Sequence, residues 1–543
     1  MAATAPARAA PILAAAAIAG AGTMTVELAA VRMLAPWFGT SLVVWTNVIG
    51  VILLALALGY LVGGRLSAGA APVRRLGIML LAASALTAWL PWLAGFVAAW
   101  VLPSGLTLDE AAPVVLWGSL AASLLLFLPP AALLGSAAPL AVEAVAKLEH
   151  HGAGSAGGRV LAASTVGSIV GVFATSHVLV PRAGITWTFL IAAGLLALAG
   201  LVVLLRARAR GDAVLVLVLG GVTVLACAGS RLARPALPEG WVELEARESP
   251  YQSVRVVEDR RGVTIMRFLQ VNEGFDSFQS VWQPEPGLLP EGFYYNYFVL
   301  PLWWSERREN QTSFDVQVLG LGAGTAWRVL AGAAPPGLEL VLGGVELDPE
   351  VIALAREHMD LDRDGERRHV VSGVDARVAL RASDARHDLI ILDCYANQIE
   401  IPTHLATLEF FREVREHLAP GGWLTANLGG FGFDDPVVRA VAATCAAALE
   451  EPVLLVRVPA ARNFILYARR DGALPVTSDG LVPVPGEGGE RLLAQLGVSG
   501  SFQLVAPGSG PVLTDDRNAI DRLQLESIRA AAERRRGRRR EGS

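Results

Sequence analysis

Charge is scarce in this sequence. Only 17% of its 543 residues are Asp, Glu, Lys or Arg, 53% are hydrophobic, and the mean hydropathy is +0.47. So little charge excludes a disordered chain, and so high a hydropathy excludes an ordinary single soluble core. Cysteine is scarcer still. Cys227, Cys394 and Cys445 stand far apart with no CxxC pair, which excludes a disulfide-built scaffold and gives no sign of a zinc site. No metal is expected. Lysine is nearly missing: Lys147 is the one lysine among 45 basic residues, a bias toward arginine without functional content.

The charge that is present is unevenly placed. Residues before Pro235 carry 13 basic and 6 acidic side chains, and those from Pro235 onward carry 32 and 44. A sparse basic half joined to a dense acidic half reads as a membrane domain followed by a soluble one. The organisation expected is a polytopic transmembrane domain over 1–234 and a β-rich capping piece over 235–310. A Rossmann-like domain over 311–530 and a basic tail over 531–543 follow.

A hydrocarbon core about 30 Å thick takes roughly 20 apolar helical residues. Seven stretches qualify: 11–34, 41–63, 76–101, 113–140, 160–181, 185–205 and the short 213–229. The first is no signal peptide, because Glu27 and Arg32 fall late in it and another span follows at once. Pro129-Pro130 predicts a kink or break in the fourth. Glu27 and Arg32 have two readings, a snorkelling arginine with a carboxylate satisfied between helices, or a transport pathway; the first is weighted higher.

Arg65, Arg74, Arg75, Lys147, Arg159, Arg206, Arg208 and Arg210 cluster in three connections, which the positive-inside rule places in the cytosol with the amino terminus. Seven spans would then leave the acidic half outside the cell. The chemistry read below needs a cytosolic co-substrate, so a cytosolic soluble domain is expected, and the two readings conflict. The run RRRGRRR at 534–540 reads as a solvated tail ahead of an anionic-lipid contact.

The soluble half begins with short strands. VRVVEDRRGVTIMRFLQV (254–271) alternates about a turn and predicts a hairpin. After Phe314 the pattern becomes strand, glycine turn, helix, repeated: strands at 315–325, 338–348, 369–376, 387–395 and 423–428, with helices at 349–359 and 408–418. This predicts a doubly wound parallel sheet of α/β methyltransferase type, whose ligand site lies at the carboxyl ends of the strands. Gly320, Gly322 and Gly324 let backbone approach a ligand after the first strand. Glu346 ends the second strand, where a carboxylate can accept from ribose hydroxyls. Asp375 ends the third and reads equally as an adenine acceptor or a helix cap. Asp393 ends the fourth, where it can hold a cation or take a proton from an attacking amine, a reading weighted above that of a capping or turn aspartate. Tyr395 shares that rim, as a face for a cation or as packing.

Taken in order, SPYQSVRVVEDRRG (249–262), LGLGAGT (319–325), VELDPEVIALAREHM (345–359), DLIILDCY (388–395), IPTHLATLEFFREVREHLAPGG (401–422) and LTDDRN (513–518) resemble spermidine synthase, the polyamine aminopropyltransferase family. With ELAAVRMLAPWFGTS (27–41) and GRVLAASTVGSIVGVFATSHVLVPRAG (158–184), the whole chain is similar to that family's membrane-fused members. The resemblance implies decarboxylated S-adenosylmethionine as aminopropyl donor and a diamine such as putrescine as acceptor. It implies Glu346 on the ribose, Asp375 at the adenine, Gln252 near the sulfur, Asp393 assisting deprotonation of the amine, and Tyr295 on the substrate side. The chain departs from the family pattern in three places. Ala396, Asn397 and Gln398 follow where a second aspartate is usual, Tyr295-Asn296-Tyr297 lacks the usual carboxylate, and Gly373-Val374-Asp375-Ala376-Arg377 is one residue longer than the usual Gly-Asp-Ala-Arg. Each missing anion removes a charge-assisted contact worth about 1.5–3 kcal/mol toward a dication.

Three functions are therefore weighed. The first is a membrane-bound aminopropyltransferase. The second is an S-adenosylmethionine-dependent methyltransferase-type enzyme with another acceptor, and the third a polyamine transporter or sensor with a binding domain that does not turn over. Expected partners are the lipid bilayer, a small amine and a second copy of the chain in a homo-oligomer; no nucleic acid is expected.

Overall fold

The computed structural model describes residues 5–38, 42–69, 71–101, 108–150, 152–207, 220–222, 237–249, 251–271, 278–305, 313–362, 367–395, 401–477, 480–482, 490, 492, 494, 501–527 and 529–530. The stretch 213–229 lies outside them apart from 220–222, as do Arg208, Arg210, Ala396, Asn397, Gln398 and the tail from 531. The chain forms two units. One comprises 1–236 with 248–253 and 272–275, the other 237–247, 254–271 and 276–543.

The first unit is helical: α1 (Ala5–Phe38), α2 (Leu42–Ser67), α3 (Pro72–Val101), α4 (Leu108–Glu149), α5 (Ala153–Ala174) and α6 (Val180–Arg206). By length and apolar composition five helical segments can cross a membrane, the last being the 54-residue run 153–206. A π-helical turn at Thr175–Leu179 joins α5 to α6, and Gly184 leaves helical geometry at φ 76, ψ 173. The run expected as two spans is thus two helical stretches that meet across a kink at that glycine. Helix α4 passes through Pro129-Pro130 without ending. A proline removes one hydrogen bond, a loss that neighbouring helices can absorb, and α1, α2, α3 and α5 all pack on α4.

Glycine sets the closest approaches. A Cβ at Gly167 or Gly171 of α5 would run into the α1 backbone at Ala17 or Ala21. One at Gly59 or Gly63 of α2 would run into α4 at Ala132 or Ser136. Small residues four apart that let backbones touch are how helices associate where lipid supplies no hydrophobic drive. The outer faces carry exposed apolar side chains such as Leu61, Phe96, Val166, Phe173 and Leu205, a pattern that fits lipid better than water. Glu27 and Arg32 both lie on α1 and are partly buried. Gln252 also groups with this unit, in a turn where Ser249 Oγ accepts from the backbone N–H of Tyr251 (3.0 Å) and Gln252 (2.9 Å).

The second unit opens with a four-stranded sheet, β1 (Trp241–Glu248), β2 (Ser253–Asp259), β3 (Met266–Val271) and β4 (Ser280–Trp282), in that spatial order. The hairpin expected at 254–271 is β2 and β3, with Val254 opposite Val271 and Asp259 opposite Met266. A 3-10 turn (Tyr294–Val299) and the short helix α7 (Leu300–Trp304) lead into the large sheet.

That sheet is built from β5 (Ser313–Leu319), β6 (Glu339–Glu346), β7 (Arg368–Ser372), β8 (His387–Leu392), β9 (Leu418–Gly429), β10 (Val453–Arg457), β11 (Asn463–Arg469) and β14 (Phe502–Val505). The small β12 (Val476–Thr477) and β13 (Gly480–Leu481) pair only with each other. The spatial order is β14-β10-β11-β9-β8-β5-β6-β7; β7 to β9 are parallel and β11, β10 and β14 are added antiparallel. Helices α8 (Thr325–Ala333), α9 (Pro349–His358), α10 (Ala376–Arg381), α11 (Leu408–His417) and α12 (Pro436–Leu449) connect the strands.

Strand β8 shows why its sequence is apolar without alternation. Leu389 and Ile391 enter one core with Trp327 and Ile352, while Ile390 and Leu392 enter another with Phe410 and Val441. A strand covered on both faces reads as a continuous apolar run. The first of these cores also contains Val256, Leu269 and Val281, so the small sheet is packed against the large one.

Candidate active site

The order of the sheet brings the site together. Strand β5 lies between β6 and β8, and its last residue, Leu319, pairs with Val345 on one side and Leu392 on the other. The next residue along each chain is therefore Gly320, Glu346 or Asp393. This is the switch point of the sheet, where strand order reverses and a crevice opens. Gly320 and Leu321 donate to Val345 O (3.0 and 2.9 Å), and Asp393 N donates to Leu319 O (2.8 Å). The glycine loop is thus tied down with one carboxylate on each flank.

Two glycines in the loop are obligatory. Gly320 has φ +84, and a Cβ there would collide with the Asp393 carbonyl. Gly322 has φ +55, and a Cβ there would collide with Ser280 Oγ. Both conformations disfavour an L side chain, and both contacts leave no room for one. Gly324 is the left-handed N-cap of α8 (φ 80, ψ 20). Strand β4 closes over this turn: Ser280 Oγ accepts from Ala323 N (2.8 Å), and Thr325 Oγ1 pairs with both Val281 N (2.8 Å) and Val281 O (2.9 Å).

Among the described residues, Glu346 is bound by backbone N–H groups. Its Oε2 accepts from Gly322 N (2.9 Å) and its Oε1 from Asp348 N (3.0 Å). Burial pushes its pKa up, and those N–H donors work against the rise. Each oxygen keeps acceptor capacity for a ligand hydroxyl.

Asp393 is bound by side chains. Tyr294 OH donates to its Oδ2 (3.0 Å) and Oδ1 (3.3 Å), and Asn427 Nδ2 donates to its Oδ1 (2.9 Å). Burial raises its pKa from 3.8 to about 6, with the Asn427 and Tyr294 hydrogen bonds pulling the other way. No cation is among its hydrogen-bond partners in the described residues. A carboxylate that is ionised at neutrality, desolvated and held by neutral donors is equipped to attract a cation and accept its proton. Desolvation first, and then the charges of Glu346, Asp393 and Asp375, raise the pKa of Cys394 and keep its thiol protonated. It is no nucleophile at neutral pH.

Asp375 serves as the N-cap of α10. Its Oδ1 accepts from Arg377 N (3.0 Å) and Val378 N (3.2 Å), while its Oδ2 faces His404 Nε2 at 2.8 Å. These contacts lower its pKa against the effect of burial. Tyr395 pins the end of β9, its hydroxyl donating to Asn427 O (2.9 Å) and accepting from Gly429 N (2.8 Å). Tyr295 is buried, with its hydroxyl on Gln279 O (2.6 Å) and its ring stacked at 4.1 Å on that of Tyr294. Tyr294 is therefore the tyrosine that reaches Asp393. Asn296 bonds the backbone of Leu289 through both ends of its amide (2.8 and 2.9 Å).

Sequence reasoning passed over Tyr294, Asn427, Asn463 and Gln279. Asn463 Nδ2 donates to Asn427 Oδ1 (2.8 Å), extending the Asp393 network by one amide. Gln279 has a buried Nε2 with no hydrogen-bond partner among the described residues, a donor that a ligand acceptor could satisfy. The lone Asn427 inside the apolar run WLTANL was a readable signal; the choice of Tyr294 over its neighbour was not. Elsewhere, Glu245, Glu357 and His358 gather as a metal site might, but Arg247 bonds Glu245 and Glu357 (2.7 Å each) where a cation would be drawn.

No family model matches the chain. A probable polyamine aminopropyl transferase of Bifidobacterium longum (strain NCC 2705) is 31% identical over 224 residues, covering 39% of this chain and 47% of that protein. A polyamine aminopropyltransferase of Vibrio vulnificus (strain CMCP6) is 32% identical over 115 residues, covering 21% and 36%. The chain thus spans about half, or less, of the length of the curated relatives it matches. Among solved structures, a probable spermidine synthase from Corynebacterium glutamicum aligns over 51% of this chain and 96% of its own at 21% identity, TM-score 0.39. Spermidine synthase from Thermotoga maritima aligns over 42% and 73% at 16% identity, TM-score 0.32. In both curated relatives, what the aligned stretch resembles is a polyamine aminopropyltransferase.

Proposed function

We propose that the chain is a membrane-bound aminopropyltransferase, moving an aminopropyl group from decarboxylated S-adenosylmethionine to an amine such as putrescine. The observation that carries this reading is the pair of carboxylates flanking one glycine loop, bound in different ways. Glu346, fixed by backbone N–H groups, accepts from the ribose hydroxyls. Asp393, fixed by Tyr294 and Asn427, faces the attacking nitrogen. The amine arrives as an ammonium and is useless as a nucleophile until it loses a proton. Asp393 takes that proton. The nitrogen lone pair then forms a C–N bond to the aminopropyl carbon, the C–S bond breaks, and its electron pair neutralises the sulfonium, leaving methylthioadenosine. Positioning both reactants in a closed crevice supplies much of the remaining acceleration.

Gln279 Nε2, unpaired among the described residues, and the close backbone at Gly320 and Gly322 suit a nucleoside ligand. The two relatives named as aminopropyltransferases favour the same chemistry. Apolar outward faces on α2 to α6 support membrane insertion, and a cytosolic soluble unit suits the source of the donor. Purified full-length protein, given decarboxylated S-adenosylmethionine and a panel of amines, is expected to release methylthioadenosine. No release with any amine would remove the reading. Calorimetry with S-adenosylmethionine against its decarboxylated form tests the methyltransferase alternative, which requires the carboxylated form to bind more tightly.

A further inference from the structure

Asn427 has two amide ends of nearly equal shape and opposite polarity. Which end faces Asp393 decides whether that carboxylate meets a donor or an acceptor. The backbone of Asn427 is fixed independently of the choice, because Tyr395 OH bridges Asn427 O and Gly429 N. What stays free is a half-turn of the amide itself. Strand β11 runs antiparallel beside β9, with Ile465 opposite Asn427 and Asn463 opposite Gly429. From that position Asn463 Nδ2 reaches Asn427 Oδ1 at 2.8 Å, and Asn427 Nδ2 reaches Asp393 Oδ1 at 2.9 Å. The main chain of Asn463 is itself held, its backbone carbonyl accepting from Val458 N at 2.9 Å.

We propose that Asn463 is a positioning residue that locks the Asn427 amide with its NH2 group toward Asp393 and so keeps Asp393 ready to accept a proton. The inference rests on the reading of Asp393 as the base. Without a donor at position 463, Asn427 is free to turn its carbonyl to Asp393, an arrangement satisfied only when Asp393 carries the proton. The other titratable groups acting on Asp393 are Tyr294 and Tyr295 from the 3-10 turn and Cys394 and Tyr395 beyond β8, and Glu346 and Asp375 act in turn on Cys394. Burial raises the three tyrosines and the thiol, so none of them titrates on the acid side. Glu346 would show itself through donor affinity instead.

The test is the pH profile of kcat/KM in Asn463→Leu, or Asn463→Ala if the larger side chain is not accommodated. Methylthioadenosine affinity serves as the check on folding. The acid limb is expected to move up by about one pH unit, with activity below it falling about tenfold. Asn463→Ser, whose hydroxyl still donates, is expected to return the limb toward wild type. In an Asn427→Leu background, Asn463→Leu is expected to add nothing, because the two act through one contact. An unmoved limb in a folded Asn463→Leu, or the same shift in both backgrounds, overturns the inference. Infrared titration of the Asp393 carboxyl, isolated by difference with Asp393→Asn, gives the same answer without turnover. A carboxyl titration that shifts in a protein releasing no methylthioadenosine would sustain the lock and sink the enzyme reading; an unshifted titration overturns the lock.

Discussion

The two sides of the glycine loop solve one problem in different ways. Both end a parallel strand in a carboxylate, and burial raises the pKa of both. Glu346 is held by the N–H groups of Gly322 and Asp348, two residues away at one end and part of the same βαβ unit at the other. Asp393 is held by Tyr294 and Asn427, which come from distant segments. A carboxylate held by backbone keeps its place whatever the neighbouring side chains are. One held by side chains can be tuned by them, which suits a group that must gain and lose a proton.

The largest break expected in this comparison is at Asp393. Asp393→Asn should lower kcat by about 10²–10⁴, the range for a positioned general base, while methylthioadenosine still binds. Glu346→Gln should do the reverse, weakening nucleoside binding by about 10- to 100-fold, as loss of charge-assisted contacts does, with a smaller effect on kcat; calorimetry and steady-state kinetics separate the two. Tyr294→Phe removes one of the donors to Asp393 and should raise the acid limb of kcat/KM above its wild-type position near pH 6, cutting activity below that limb about tenfold. Tyr295→Phe, whose hydroxyl bonds Gln279 instead, should leave the limb in place.

The smallest effect is on stability, and its sign is set by the raised pKa. The folded state holds the Asp393 proton up to about pH 6, whereas the reference carboxyl releases it near 3.8. Ionising Asp393 therefore costs stability as pH rises through that window, and the cost persists above it. Asp393→Asn should melt higher than wild type at pH 7 and no higher below pH 4, as followed by thermal denaturation.

Local signals made much of the fold legible. The glycine loop after β5, Glu346 at the end of β6 and the helix from Pro349 were readable because each depends on residues close in sequence. The apolar runs of α1 to α4 were readable from length alone, and of the kink or break expected at the proline pair in α4 the break does not occur, with other helices packed around it. The site beyond Asp393 was harder to read. Tyr294 and Tyr295 are adjacent, and only the way the 3-10 turn is seated, with one hydroxyl on Asp393 and the other on Gln279, decides which one meets the carboxylate. Asn463 enters through antiparallel pairing of β11 with β9, a register that no motif announces.

The most direct test of the account is the rate of methylthioadenosine release across the acid range, wild type beside Asp393→Asn, with nucleoside affinity measured on the same samples. The account expects wild-type activity to rise through about pH 6, and the variant to keep its affinity and lose its turnover. A variant that turns over as wild type does, or an affinity that vanishes with Asp393 and survives Glu346→Gln, would contradict the division of roles between the two carboxylates.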